Sequence, residues 1–153
     1  RNNGGGSGAE DIIPYFIQER TNVGYTVEKT GKGRQDVSPQ LSFLIEPADL
    51  YFDKPIVLIT NRGSYSATTY FAAMMKPLPQ VTLVGQITGG GGGGNAAFEL
   101  QNGWLLNVSV STFVDTECED GESGVVPDIE INNDKTASEN GVDEMLERAI
   151  AVN

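Results

Sequence analysis

The uncharged run Pro-Ile-Val-Leu-Ile-Thr at residues 55–60 constrains the fold of this chain more than any other segment. A continuous β-branched apolar run of this length is typical of a strand that is buried on both faces by helices. A polar turn follows it, and apolar residues then recur at helical spacing from Ala67 until just before Pro77. A second short apolar run at 81–85 completes a strand-helix-strand unit. Such crossovers almost always join parallel strands, so the unit predicts a parallel pair in an α/β domain.

The N-terminal segment predicts a helix that runs to about Arg20. Ser7 and Glu10 have the spacing of a capping box, in which two side chains satisfy free N–H groups at a helix start. Pro14 must then lie in the first turn or kink the helix. The predicted buried stripe consists of Ile12, Ile13, Phe16 and Ile17.

Shorter elements are predicted on both sides of the central unit. Asn102-Gly103 between two alternating segments is the strongest short-range signal for a β-hairpin. Extended segments are expected at 25–30, 41–45, 97–100, 104–111 and 125–131. A closing helix is expected at 141–152, with an inward face of Val142, Met145, Leu146, Ala149 and Ile150.

Size and charge limit the class of protein. A chain of 153 residues, 39% of them hydrophobic, fits one folded domain, and we expect 1–153 to be a single domain. Ten Lys and Arg against 21 Asp and Glu give a net charge of -11, which argues against a nucleic-acid partner. No uncharged apolar run approaches the roughly 20 residues of a membrane-spanning helix, so none is expected.

The residue types that are scarce limit the chemistry. The chain has no His, so these residues alone cannot form a Ser-His-Asp triad or a His-based zinc site. Cys118 is the only cysteine, which excludes an internal disulfide and a Cys metal cluster. The opening Arg1-Asn2-Asn3 is neither a signal peptide nor a start, and we interpret the chain as a piece of a longer one.

Ser66 is the best candidate for a reactive group. It lies where a strand gives way to a helix, beside free backbone N–H groups and the positive end of the helix dipole. The N–H of Ala67, together with one from a glycine-rich segment such as residues 4–6, could stabilise an oxyanion. The alternative is that Ser64 or Ser66 only caps the helix, which contributes about 1 kcal/mol.

Two further features offer weaker signals. Six glycines at 89–94 lack the following Lys and helix of a phosphate loop, which favours a mobile or tightly packed loop. Glu117, Glu119, Asp120 and Glu122 surround Cys118 and could bind a cation through oxygen, but their spacing matches no EF-hand or similar template and favours a solvated loop. We therefore predict no metal site and no cofactor.

Five short motifs occur in a fixed order: Arg1-Asn2-Asn3-Gly4-Gly5-Gly6, Gly63-Ser64-Tyr65-Ser66-Ala67, Val84-Gly85-Gln86-Ile87-Thr88, Asn102-Gly103 and Gly124-Val125-Val126-Pro127-Asp128-Ile129. Over nearly the whole chain they resemble the catalytic domain of the C-terminal processing peptidases, also called tail-specific proteases. The resemblance implies an α/β fold, a crotonase- and ClpP-like spiral of mostly parallel strands with outer helices and a β-hairpin, truncated at its N-terminus. It also implies a periplasmic or extracellular location.

The resemblance assigns roles to particular residues. Ser66 takes the position of the nucleophile, and the N–H groups of Ala67 and of Gly5 or Gly6 take that of the oxyanion hole. The implied reaction is hydrolysis of peptide bonds in peptide or unfolded protein substrates, with an upstream domain of the same chain as a partner.

The base expected in this family is not in its place. In the bacterial and chloroplast branch a lysine stands 25 residues after the serine, where this chain has Gly91, and the nearby Lys76 belongs to no family motif. The branch typified by the tricorn core protease uses an upstream histidine and a glutamate before the Gly-Val-x-Pro-Asp motif, where Glu122 stands. This branch fits better, and it implies that Glu122 orients the site, that the base comes from a missing upstream segment and that the chain alone is inactive.

Two other classes stay open. The chain could be a non-catalytic relative that binds a ligand in the same cleft, or a structural module of a larger extracytoplasmic protein. A histidine in the upstream sequence that can reach Ser66 would favour catalysis over both.

Overall fold

The computed structural model describes residues 8–117 and 119–152 and shows a mixed α/β fold. The strands are β1 Thr21–Glu28, β2 Leu41–Ile45, β3 Ile56–Thr60, β4 Val81–Gly85, β5 Asn95–Glu99, β6 Leu105–Ser109, β7 Ser111–Val114 and β8 Ile129–Glu130. The helices are α1 Ala9–Ile12, α2 Ala67–Met75, α3 Lys135–Glu139 and α4 Glu144–Val152, with 3-10 turns at Ile13–Phe16 and Gly121–Ser123.

A parallel sheet of order β3-β4-β8 confirms the predicted strand-helix-strand unit. β3 and β4 pair in register from Ile56 opposite Val81 to Thr60 opposite Gly85, and α2 connects them. The two strands come very close at their last pair, because a β-carbon on Gly85 would lie 2.1 Å from the carbonyl oxygen of Thr60. Only glycine fits at position 85. After Thr60, at the end of β3, the chain leaves this edge of the sheet and continues to α2.

The expectation of mostly parallel strands is wrong for the described residues. β1 pairs antiparallel with both β2 and β7, and β5 pairs antiparallel with β6, so three of the five strand pairs are antiparallel. The predicted strand at 104–111 is in fact two strands. Near Val110 the chain changes partners, because the N–H groups of Val110 and Ser111 both donate to Gly94 O and β7 then continues along β1.

The N-terminal helix is shorter than predicted. α1 ends at Ile12 and the following 3-10 turn ends at Phe16, so the helix does not reach Arg20. Pro14 is the second residue of the 3-10 turn Ile13–Phe16, and it has no N–H with which to continue the α-helix. Gly8 holds the N-cap position without a side-chain bond, and Ser7 lies outside the described residues. Ile13 and Ile17 are buried as expected, whereas Ile12 is exposed.

The closing helix also differs from its prediction. α4 begins at Glu144 and buries only Met145 and Ala149, because one narrow side of it packs on β3 and β4. The other predicted inward residues are exposed: Val142, Leu146 and Ile150. α3 was not predicted, and Asp134 caps it by accepting N–H bonds from Thr136 and Ala137.

One apolar core joins α2 to strands of both three-stranded sheets. Its largest fully buried members are Phe113, Ile13, Met75, Leu83 and Val23. This packing holds the first turn of α2 against β1 and β7. In the part of the chain that the structure describes, no helix has both the length and the apolar character that crossing a membrane requires.

Candidate active site

Ser66 has a strained backbone at the start of α2. Its φ of 56° and ψ of -120° make it the only non-glycine residue with positive φ among the residues described. Its N–H donates to Gly90 O at 2.8 Å, and its carbonyl accepts the N–H of Tyr70 at 3.1 Å. A conformation of this kind costs about 1–3 kcal/mol and occurs preferentially at functional sites.

The simple capping alternative does not hold. Ser66 occupies the N-cap position of α2, but its side chain makes no capping hydrogen bond. Ser64 is fully buried, and its Oγ accepts the N–H of Asn61 at 3.2 Å, so it closes the turn before the helix and does not cap the helix. Within residues 8–117 and 119–152, the Ser66 hydroxyl thus makes no capping hydrogen bond.

Ser66 lines a cavity of about 380 Å³ with a largely apolar wall. Ala67 lines the same cavity, and the structure thus brings two of the predicted site residues together. The apolar wall consists of Phe43, Tyr70, Met74 and Phe113. Tyr70 and Phe43 both meet the ring of Phe113 edge to face, with centroids 5.1 and 6.4 Å apart.

The N–H of Ala67 lies at the N-terminus of α2. Ala67 is the first residue of α2, and the N–H groups of a first helical turn have no acceptor within the helix. They also form the positive end of the helix dipole, which favours negative charge. Gly5 and Gly6, the predicted second donors, lie outside the described residues.

Glu122 lies beside the cavity. A β-carbon on Gly93, which lines the cavity, would be 2.6 Å from Oε1 of Glu122. Burial raises the pKa of Tyr70 above its ordinary value, and the negative charge of Glu122 raises that pKa further. Asp120 holds the turn by accepting the N–H of Glu122 at 2.9 Å. The carboxylate of Glu122 thus adjoins two residues of the Ser66 cavity.

The rest of the acidic loop has a structural explanation. Oδ1 of Asp115 accepts the N–H groups of both Glu117 and Glu119 at 2.9 Å. Among residues 8–117 and 119–152, no three His, Cys, Asp or Glu side chains are grouped so that they could hold a metal ion.

The glycine run at residues 89–94 is tightly packed. Of the two alternatives predicted for it, a mobile loop or a tightly packed one, the structure shows the second. For each of its six residues, an added β-carbon would lie 2.1–2.6 Å from another atom. Gly90 and Gly91 also have φ of +83° and +73°, which other residues rarely adopt. The nearest atoms, in chain order, are Arg62 O, Glu122 O, Tyr65 Cζ, Gly121 C, Glu122 Oε1 and Ser111 Oγ.

No lysine is near Ser66 in the described part of the chain. Lys76 caps the opposite end of α2, ten residues and about 15 Å along the helix axis from Ser66. It lines two smaller cavities beside Asp115. Gly91 stands where the sequence resemblance predicts a lysine, and a β-carbon there would lie 2.5 Å from Tyr65 Cζ.

Two buried threonines support the site, and no sequence pattern predicted this role for either of them. The hydroxyl of Thr69 lies 2.9 Å from Gly90 O and 3.1 Å from the hydroxyl of Thr88. Oγ1 of Thr88 accepts the N–H of Val125 at 2.9 Å. The network joins α2, the glycine run and the segment after Glu122, and Gly90 O is also the acceptor for the N–H of Ser66.

The cavity wall was also missed, for two reasons. Tyr70 follows Ser66 by four residues and so shares its helix face, a signal that could have been found. Phe43, Phe113 and Thr26 come from β2, β7 and β1, and only the long-range pairing of that sheet brings them to α2.

Comparison with known proteins gives consistent matches. Residues 1–131 match the model of peptidase family S41. A carboxyl-terminal-processing protease of Synechocystis sp. (strain ATCC 27184 / PCC 6803 / Kazusa) is 32% identical over 131 residues, which are 84% of this chain and 29% of that protein.

Solved structures agree with the sequence matches. A candidate peptidase from Parabacteroides merdae ATCC 43184 is 35% identical with a TM-score of 0.88, over 94% of this chain and 46% of that one. A photosystem II D1 C-terminal processing protease has a TM-score of 0.63 at 19% identity, over 81% of this chain and 30% of that one, a likeness of fold alone. The chain thus spans less than half of the length of each of these three proteins.

Proposed function

Because this chain belongs to peptidase family S41, we propose that it is the serine-peptidase part of a longer polypeptide and hydrolyses peptide bonds in peptide or unfolded protein substrates. The observation that carries the proposal is the strained backbone of Ser66. Its hydroxyl makes no capping hydrogen bond within the described residues and lines an apolar-walled cavity at the N-terminus of α2. As a fold assignment we propose the crotonase- and ClpP-like spiral, supported by the parallel unit β3-α2-β4 and by β8. A periplasmic or extracellular location belongs to the same proposal.

In the proposed reaction, Oγ of Ser66 attacks the carbonyl carbon of the scissile peptide bond while a base takes its proton. The resulting oxyanion accepts the N–H of Ala67 and a second N–H from Gly5 or Gly6. The base then protonates the leaving amine, and water hydrolyses the acyl-enzyme. The cavity walled by Tyr70, Met74 and Phe113 receives a substrate side chain.

We propose that the base is a histidine upstream of residue 1. Two observations support this source: the chain contains no His, and no lysine lines the Ser66 cavity among the described residues. Glu122 would orient that base through an intervening group, as in the tricorn-like branch, and its place beside Gly93 and Tyr70 is compatible with this role.

Fluorophosphonate labelling tests the proposal. The complete polypeptide that its gene encodes should gain one label, and Ser66→Ala should abolish it. Ser42→Ala changes an exposed serine of β2 and should leave labelling intact. The 153-residue chain alone should not react, because an alcohol without its base is a weak nucleophile.

A non-catalytic, ligand-binding or structural role is the second candidate. The absence of an amine or imidazole near Ser66 within the described residues favours it. If the folded, complete polypeptide takes no label and cleaves no peptide, this second role replaces the first.

A further inference from the structure

The main chain of the glycine run is tied to the fold at alternate residues. Gly92 O accepts the N–H of Phe113 at 2.8 Å. Gly94 O accepts the N–H of Val110 at 2.9 Å, and Gly94 N–H donates to Ser111 Oγ at 3.2 Å. The carbonyl of Gly92 and both polar groups of Gly94 are therefore directed towards residues 110–113.

Gly93, between them, is not tied to the fold in this way. Within residues 8–117 and 119–152, neither its N–H nor its carbonyl oxygen has a hydrogen-bond partner. Gly93 is partly exposed and lines the cavity that contains Ser66. Successive residues of an extended chain present their N–H and C=O groups to opposite edges, so those of Gly93 are directed away from residues 110–113.

We propose that Gly93 binds the main chain of an extended substrate peptide. Its N–H donates to one peptide carbonyl and its carbonyl accepts one peptide N–H, which is the hydrogen-bonded pair of an antiparallel β-ladder. The proposal rests on the peptidase function proposed above, which brings a peptide to Ser66, and it adds that recognition is through the backbone.

The packing explains why only glycine can serve here. A β-carbon at position 93 would lie 2.6 Å from Glu122 Oε1 and 2.7 Å from Ser111 O. Without a side chain, Gly93 can lie against Glu122 on one side and leave both polar groups uncovered on the other. Recognition of this kind tolerates many peptide sequences, apart from the one side chain that enters the apolar cavity.

A set of ester-containing peptides tests the proposal. The protein is the complete polypeptide carrying Ser66→Ala, and the probe is acetyl-Ala-Ala-Leu-Ala-Ala-Ala, with one amide at a time replaced by an ester, which removes one N–H. One of the ester peptides should bind about tenfold more weakly than the parent peptide, which is the effect of one lost hydrogen bond. The two peptides with the ester at the amide just before or just after that position should bind within about twofold of the parent.

Amide hydrogen exchange measured by NMR gives a second result. Peptide binding should slow exchange of the Gly93 N–H and leave that of Gly94 unchanged, because Gly94 is already bonded to Ser111. The proposal fails if no ester weakens binding, if Gly93 exchange is unaffected in the complex, or if the parent peptide does not bind at about 1 mM.

Cleavage of the parent peptide by the protein with Ser66 intact separates the two proposals. Binding with the expected ester pattern but without cleavage would refute the peptidase function and leave the role of Gly93 standing. Cleavage without an ester-sensitive position would refute the role of Gly93 alone.

Discussion

The ring of Tyr65 lies directly against the α-carbon of Gly91, so that a β-carbon on Gly91 would be 2.5 Å from Tyr65 Cζ. Gly91 also has a φ of +73°. Gly91 stands where the sequence resemblance to the bacterial branch predicts a lysine base, so the ring of Tyr65 lies where that side chain would extend. The ring of Tyr65 is about half exposed, so a lysine at position 91 would require it to move aside.

Gly91→Lys should therefore not restore a Ser-Lys pair. We expect it to lower the free energy of unfolding by about 1–3 kcal/mol for the backbone alone, with a small further loss because the half-exposed ring of Tyr65 must move aside. Gly103→Lys is the matched control, because Gly103 has a φ of +80° with nothing within 4 Å of an added β-carbon. Urea unfolding should show the larger loss for Gly91→Lys, and adding Tyr65→Ala should recover part of it. Equal losses in the two single variants would contradict this account.

The protein should be more stable with glycine at position 66 than with alanine there. Glycine adopts the positive φ of 56° without strain, and this gain outweighs its greater entropy in the unfolded chain. We therefore expect the free energy of unfolding of Ser66→Gly to be about 1 kcal/mol higher than that of Ser66→Ala. Thr68, in the first turn of α2 and without a positive φ, should show the opposite order, with the glycine variant less stable than the alanine variant. Thermal unfolding of the four variants measures both differences. If Ser66 followed the order of Thr68, the backbone there would not be strained.

Thr69→Val should destabilise the protein by about 1–3 kcal/mol, because Thr88 loses a buried hydroxyl partner and Gly90 O loses one of its donors. Thr68→Val, one residue earlier and partly exposed, should cost less. Denaturant titration gives both values. Since Gly90 O also holds the N–H of Ser66, Thr69→Val should in addition reduce fluorophosphonate labelling of the complete polypeptide.

The Glu122→Gln substitution should lower the pKa of Tyr70. Burial is the larger cause of the raised pKa and remains, whereas the repulsion between two negative charges is removed, so the pKa should fall only part of the way to 10.0. Glu117→Gln, on the same loop, is the control and should leave it unchanged. NMR titration of the tyrosine ring carbons measures the value.

The same pKa has a consequence for stability. Because the folded-state pKa of Tyr70 lies above its unfolded value of 10.0, its contribution to stability is complete below pH 10.0 and is lost as the pH rises through the folded-state pKa. Tyr70→Phe should accordingly show a smaller loss of stability in alkali than the unchanged protein. A loss of equal size would place the titrating group elsewhere.

The family and the central unit could be predicted from the sequence, because they depend on local patterns. The run at 55–60, the helix after Ser66 and the strand Val81–Gly85 were each predicted within a residue of their observed bounds. The ordered motifs indicated the family that the comparisons confirm. The Ser66 assignment stays a prediction, although its backbone strain and its cavity support it.

Elements that depend on distant partners were predicted less well. β7 was merged with the hairpin because nothing local marks the change of partner at Val110. The inward face of α4 was overestimated because its pattern does not show how little of the sheet it covers. Phe43 and Phe113 gave no signal of a shared cavity, since 70 residues separate them in the chain.

The sequence by itself determined the β3-α2-β4 unit, the turn at Ser66, the absence of histidine and the family, since each depends on short patterns of residues that are neighbours in the chain. Only the tertiary structure decided the environment of Ser66: its strained backbone, the cavity wall, the ring of Tyr65 over Gly91 and the close packing of the glycine run. These features arise from contacts between segments far apart in sequence. Such contacts are selected by the packing of the whole core, and no local pattern encodes them.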